Sequence, residues 1–227
     1  MKVRWFVLGV VAAVACALPA TVQAQFFFDN FDSYAAGSGI MGQGGWETWD
    51  NNPAANTTVS NAQSYSSPNS LLVAGPADIV HQFAGVTSGM WYAKAMTYVP
   101  SSQAGDMYFI VLNTYVPSGT NNWSIQVRFS ASEGVVQNLG GTDNPRDVTL
   151  PIVTNQWVEV RAEIDLSGNQ AVIYYGPNIL DTQTYNVSGV NAVGAFDLFS
   201  DGSSESYMDN VWLDTSIPVE LQTFDIE

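Results

Sequence analysis

The strongest constraint on this chain is a strict alternation of apolar and polar side chains in two long stretches. From Asn122 onward, Trp123, Ile125, Val127 and Phe129 fall on one side of an extended backbone, and Ser124, Gln126 and Arg128 fall on the other. A strand imposes this period because successive Cβ atoms point to opposite faces. The pattern returns with Val158, Val160, Ala162, Ile164 and Leu166 set against Glu159, Arg161, Glu163 and Asp165. Each stretch therefore needs a core on one face and water on the other. Ser167-Gly168-Asn169 then leads into Ala171 to Tyr175, which predicts a β-hairpin. Denser apolar runs at 78–83, 89–99, 107–115 and 195–199 are separated by clusters of Gly, Pro, Asn and Ser. No run of ten or more residues carries a capped 3.6-residue stripe. The expectation is an all-β chain: a two-sheet antiparallel β-sandwich of about 12–14 strands. With neither a fixed-period repeat nor an internal linker, it forms one domain over residues 25–215.

The chain ends read differently. Lys2 and Arg4 precede an apolar run from Phe6 to Ala17, and Val22-Gln23-Ala24 fits a small-x-small cleavage site, so residues 1–24 are expected to be a signal peptide. The apolar run is shorter than the roughly 20 residues of a membrane span, so the expected product is secreted, extracellular or periplasmic, without membrane insertion. Cys16, the one cysteine, lies inside this segment behind Ala13-Val14-Ala15, where a lipobox would usually place Leu at position 13. After ordinary cleavage the domain has no cysteine and no disulfide. Residues 216–227, with Pro218 among them, read as an edge strand or a tail.

Charge narrows the partners. The chain has 21 Asp and Glu against 6 Lys and Arg, a formal charge of −15, and cleavage would remove two of the cations. Such a surface repels phosphate, so nucleic acid and anionic membranes are poor partners, whereas neutral glycans, divalent cations and proteins remain. At 46% hydrophobic residues the chain is no disordered acidic tail.

Several segments taken in order carry a family resemblance: Phe27-Phe-Asp-Asn-Phe-Asp-Ser-Tyr34, Gly44-Gly-Trp46, Gln156 to Leu166 with its Asn169 turn, and Tyr207-Met-Asp-Asn-Val-Trp-Leu213. Together they resemble the concanavalin A-like lectin/glucanase jelly rolls of the laminin-G-like type. The resemblance implies two curved antiparallel sheets with any ligand on the concave face or its rim. That superfamily includes lectins, glycoside hydrolases, polysaccharide lyases and non-catalytic adhesion modules, so fold does not decide function.

Candidate chemistry is then sought residue by residue. His81, the only histidine, would have to serve any Ser-His-Asp system, but it lacks a Gly-x-Ser-x-Gly elbow and is read as a strand-surface or satisfied histidine. Glu163-Ile-Asp165 matches the first two acids of the E-x-D-x-x-E or E-x-D-x-E motif in related glucanases, where the first Glu is the nucleophile and the last the acid/base. The second Glu is missing, since Leu166-Ser-Gly-Asn169 follows. Glu163 and Asp165 are thus weak catalytic candidates beside the reading of an acidic strand running into a turn. Lyase chemistry on uronates is poorly supplied with cations. Related jelly rolls often join their first and last strands through a structural calcium, which implies Asp29, Asp32 and Asp209 as ligands, with Asn30 and Asn210 beside them. The same acids also suit solvated strand ends. Sugar rings stack their C–H faces on aromatic side chains and bond through hydroxyls to amides and carboxylates. The loop Trp46-Glu-Thr-Trp49-Asp50-Asn51-Asn52 is the first choice for such a surface, with Asn113 and Tyr115 as a second rim. Trp46 could equally plug the sandwich edge, and the period places Trp123 with the core. The function expected is a non-catalytic carbohydrate-binding or adhesion module for an extracellular glycan or cell-surface polysaccharide. The alternatives are a glycoside hydrolase and a structural matrix or appendage subunit.

Overall fold

The computed structural model describes residues 26–216. The expected signal peptide at 1–24 and all but the first residue of the expected tail lie outside the described residues. Fifteen strands run along the described chain: β1 (Phe27–Asp29), β2 (Trp46–Thr48), β3 (Val59–Ser60), β4 (Ser70–Leu72), β5 (Asp78–Gln82), β6 (Met90–Tyr98), β7 (Asp106–Thr114), β8 (Asn122–Ser130), β9 (Val135–Gly141), β10 (Asn144–Pro151), β11 (Trp157–Asp165), β12 (Gln170–Tyr175), β13 (Asn178–Thr184), β14 (Ala195–Asp201) and β15 (Tyr207–Asp214). The total exceeds the 12–14 expected because β1 to β4 are two or three residues long, too short to carry a readable period. Two 3₁₀ turns, Trp49–Asn51 and Pro53–Ala55, follow β2.

The strands form two antiparallel sheets. One has the order β13-β12-β11-β6-β15-β4-β3, with β1 added beside β15, and the other β10-β9-β8-β7-β14-β5-β2. The expected hairpin is present, with Asp165 opposite Gln170 in the β11–β12 pair. The first and last strands lie side by side, Phe27 opposite Leu213 and Asp29 opposite Val211.

Both alternating stretches bury the face the sequence marks. Val160, Ala162 and Ile164 of β11 join Ala93 and Ala95 of β6, while Ile125, Val127 and Phe129 of β8 join Phe109 of β7 and Phe196 of β14, all within one cluster. Small side chains on the eight-stranded sheet thus share a core with phenylalanines of the seven-stranded one, as close packing of two layers requires. Each such large apolar side chain gains about 1.5–3 kcal/mol on leaving water.

One position reverses the expectation. Val111 pairs with Ile125 but Leu112 pairs with Trp123, so Ser124 is an extra residue in β8. Thr114 then pairs with Asn122, which makes Asn113 an extra residue in β7. A bulge switches the face of everything beyond it. Trp123 therefore leaves the core face and joins Val80, Ile110, Leu112 and Ala195 in a second apolar cluster. These positions alternate with the core residues of β5, β7 and β14, so the second cluster lies on the outer side of the seven-stranded sheet.

Candidate functional site

The outer face of the seven-stranded sheet carries a row of in-register side chains. Gln126 stands opposite Ile110, Ile110 opposite Asp197, and Asp197 opposite Val80. In the neighbouring row Tyr108 stands opposite Phe199 and Phe199 opposite Asp78. The 3₁₀ turn after β2 brings Trp49 to this face. Its indole stacks on Trp123 with centroids 5.7 Å apart at 11°, and meets the Tyr115 ring edge-on at 4.8 Å. The turn is held by the Asp50 N–H, which donates to the Tyr115 hydroxyl at 2.9 Å, and by the Ser118 N–H, which donates to Asp50 Oδ1 at 2.6 Å. The result is a cavity of about 210 Å³ lined by Trp49, Asp78, Ile110, Trp123, Gln126, Asp197 and Phe199.

Two carboxyls stand at this cavity. Burial, then the charge of Asp78 and a hydrogen bond to it, raises Asp197 well above the usual carboxylate range. Burial also pushes Asp78 up to about 6; the hydrogen bond with Asp197 draws it down in part, and the nearby charge of Asp50 adds to the rise. Asp197 is therefore the proton donor and Asp78 the acceptor of a shared proton, since two carboxylates in contact cannot both ionise at neutral pH. Oδ1 of each is shielded from solvent and meets no donor outside the pair. No cation among the described residues offsets them. Lys94, Arg128, Arg146 and Arg161, the four Lys and Arg of the described residues, are each in ion pairs elsewhere.

The sequence candidates divide sharply. Trp49, Asp50 and Tyr115 belong to this site. Asn51 lies exposed in the same turn, in the left-handed region at φ 56°. Trp46 does not belong to it. Its side chain is fully buried, its Nε1–H donates to Asp29 Oδ2 at 2.8 Å, and Phe27, Phe31 and His81 pack round it. The tight approach uses Gly45 at φ +86°, where a Cβ would stand 2.9 Å from His81 Nε2. Asn113 lies away from this cavity. As the bulged residue of β7 it is buried, and its Nδ2 donates to Asn122 Oδ1, Asn186 Oδ1 and the Ser188 carbonyl, fastening the loops behind the sheet.

The weak catalytic pair lies on the other sheet. Glu163 sits on β11 beside Arg161, 3.3 Å from its Nε, in a strip with Glu159 and Lys94. Asp165 accepts the Ser167 and Gly168 N–H groups and so shapes the hairpin turn. His81, three residues from Asp78, faces the opposite side of β5 and packs at 4.1 Å against Phe27.

The expected metal ligands each use their oxygens on protein donors. Asp29 accepts from Phe31 N–H, the Tyr34 hydroxyl and Trp46 Nε1–H. Asp32 accepts from Asn69 N–H and Asn30 Nδ2. Asp209 accepts from the N–H groups of Tyr65, Ser66 and Asn210. Lone pairs aimed at donors are not aimed at a cation, so this set does not fit a calcium shared by the chain ends. Among the described residues no group of three or more His, Cys, Asp and Glu gathers to hold a metal.

Asp78, Ile110, Gln126, Asp197 and Phe199 are the lining residues that sequence reasoning missed, and Trp123 was expected in the core. A signal existed at Asp197, a lone acid inside Ala195-Phe-Asp-Leu-Phe199. An acid amid so apolar a strand needs a partner, but only the sheet order shows that the partner is Asp78.

The fold is that of the concanavalin A-like jelly rolls. No protein-family model and no curated protein matches the sequence. Among solved structures, the chain is similar to cellulose induced protein Cip1, with TM-score 0.57 and 12% identity over 84% of this chain and 97% of that one. It is similar to a sialidase with TM-score 0.57 and 10% identity, over 83% of this chain and 18% of the other. It is also similar to a Trypanosoma rangeli sialidase in complex with 2,3-difluorosialic acid, with TM-score 0.53 and 13% identity over 72% and 28%. The chain thus spans less than a third of the sialidases' length and nearly all of Cip1.

Proposed function

We propose that this protein is an exported, non-catalytic carbohydrate-binding module whose ligand-facing surface is the Trp49–Trp123 shelf on the outer face of the seven-stranded sheet. The observation that carries this reading is the stacked indole pair beside two carboxyls and a glutamine in one cavity. Indoles offer a flat apolar wall for the C–H face of a sugar ring, and the carboxyl and amide groups offer acceptors for its hydroxyls. At about 210 Å³ the cavity is smaller than the roughly 300–1,000 Å³ of most small-molecule sites. It suits one ring of a glycan, with the rest of the chain outside. The absence of an unpaired Lys or Arg among the described residues disfavours uronates and other acidic sugars.

Export rests on the expected signal peptide, and an adhesion role would use the same surface. Titration with soluble oligosaccharides, followed by calorimetry, tests the reading. Trp49→Ala is expected to weaken any sugar bound by the wild-type protein at least about tenfold, in line with the energy of a lost aromatic platform. Retained affinity in that variant overturns the placement of the site, and failure of every oligosaccharide overturns the function.

A second reading has its own observation, since a carboxyl of raised pKa beside another carboxyl in an aromatic cleft is what glycoside hydrolysis uses. Against it stands the pairing of the two acids: Asp78 and Asp197 are diagonal neighbours on β5 and β14 that hydrogen-bond to each other, unlike the separated carboxyls of retaining enzymes, about 5–5.5 Å apart, and of inverting enzymes, about 6.5–9.5 Å apart.

A further inference from the structure

We infer that the Trp49–Trp123 cavity is one end of a longer site, and that a groove beside Gln82 seats a second ring of the same ligand. The ligand class is then a linear neutral glycan of at least three sugars. This deepens the glycan-binding reading and rests on it.

The register puts the two cavities in line. Gln82 of β5 stands opposite Ala195 of β14, Ala195 opposite Leu112 of β7, and Leu112 opposite Trp123 of β8. Val80 faces outward, and Gln82, two positions further along the strand, shares that face. Three strand spacings separate Gln82 from Trp123 in the row, about 14 Å. Ala195 and Leu112 between them are fully buried, in one cluster with Tyr115 and with Trp49 packed against it. Tyr115 meets Trp49 edge-on and also lines the groove. A single aromatic ridge, Trp49 and Tyr115, thus divides the two cavities. No one sugar ring spans that distance, so a ligand that fills both places one ring in each and at least one across the ridge.

The groove is fixed by the backbone. It has about 260 Å³, close to the 210 Å³ of its neighbour, and lies between the β5–β6 loop, the β13–β14 loop and the end of β7. The Phe83 N–H donates to the Gly194 carbonyl at 2.8 Å, the Val193 N–H to the Val86 carbonyl at 2.9 Å, and the Gly194 N–H to the Leu112 carbonyl at 2.8 Å. Walls pinned in this way leave little ordering cost to binding.

Its lining has the two kinds of surface a sugar presents. Tyr115, Val190 and Ala192 offer apolar contact to C–H faces, and Gln82 and Thr87 offer an amide and a hydroxyl. Both polar residues are exposed, and neither side chain hydrogen-bonds to another described residue. The Thr114 hydroxyl, by contrast, is committed to Asn113 Oδ1. No Lys, Arg or His among the described residues lines either cavity, and two acids stand at the first. Carboxylated or sulfated glycans would meet repulsion without a compensating cation, which leaves the neutral ones.

The test is calorimetry with oligosaccharides of one, two, four and six units in four series: β-1,4-linked glucose, β-1,3-linked glucose, β-1,4-linked mannose and β-1,4-linked xylose. In any series that binds, affinity is expected to rise at least about tenfold between two and four units, because a tethered ring enters the second cavity at high effective concentration. The double variant Gln82→Ala/Thr87→Ala is expected to collapse that gain. Affinity that levels off at one or two units overturns the second cavity and leaves the glycan reading intact. A gain that survives the double variant overturns the groove as the seat of the second ring. No binding in any series overturns both readings. Should the double variant not fold, the wild-type protein still decides: the four-unit ligand is expected to shift the backbone amide resonances of both Trp123 and Val190, and shifts confined to Trp123 overturn the proposal.

Discussion

At the scale of single residues, similar side chains are separated by their surroundings. Trp46 and Trp49 stand three positions apart in one loop, yet the first is fully buried with its N–H on Asp29 and the second stacks on Trp123 at the cavity. The acids divide in the same way, with Asp29 engaged by three donors and Asp78 and Asp197 left to share a proton. That sharing sets a sign for pH. A carboxyl whose folded pKa is raised holds its proton longer in the native state than in the unfolded chain, so its contribution is most favourable below the unfolded pKa and is lost as pH rises through the folded value. Asp78 is raised to about 6 and Asp197 further still, and burial raises Asp209 to about 6 as well. The melting temperature is therefore expected to be higher near pH 5 than near pH 7.5. Asp197→Asn keeps a donor for Asp78 while removing one of the raised carboxyls, so it is expected to flatten the decline. A profile that rises over this interval, or an Asn variant with the wild-type slope, would refute the assignment.

At the scale of elements, the bulges decide the site. Strict alternation would keep Trp123 with Ile125, Val127 and Phe129 in the core. The extra residue Ser124 turns it outward, and the extra residue Asn113 on the neighbouring strand restores the pairing and sends an amide into the loops behind. Deleting Ser124 is expected to swing Trp123 back toward the core, abolishing the exciton signal of the stacked indoles in circular dichroism together with sugar affinity. An unchanged couplet would show that the bulge does not set the face. This is also where sequence reading ended. The alternation in β8 and β11, the hairpin at 167–169 and the adjacency of first and last strands were legible because each rests on local periodicity or on a resemblance in segment order. The bulge was not, since a single extra residue leaves the apolar pattern on both sides intact and becomes visible only through the partner strand.

At the scale of the whole molecule, an acidic and disulfide-free sandwich is held by its core, its sheet hydrogen bonds and a few ion pairs. Because donors of the protein engage Asp29, Asp32 and Asp209, chelation is expected to leave stability unchanged. Addition of EDTA should not move the melting temperature, and a fall of several degrees would reveal a bound structural ion. By itself the sequence determined the all-β class, the two-sheet architecture and the faces of the long strands. These follow from periodicity, which is set by neighbours in the chain. The tertiary structure alone decided that Trp49 meets Trp123 and that Asp78 meets Asp197. Each pair joins segments far apart in sequence, and their contact depends on sheet order, register and one bulge, which no local pattern encodes.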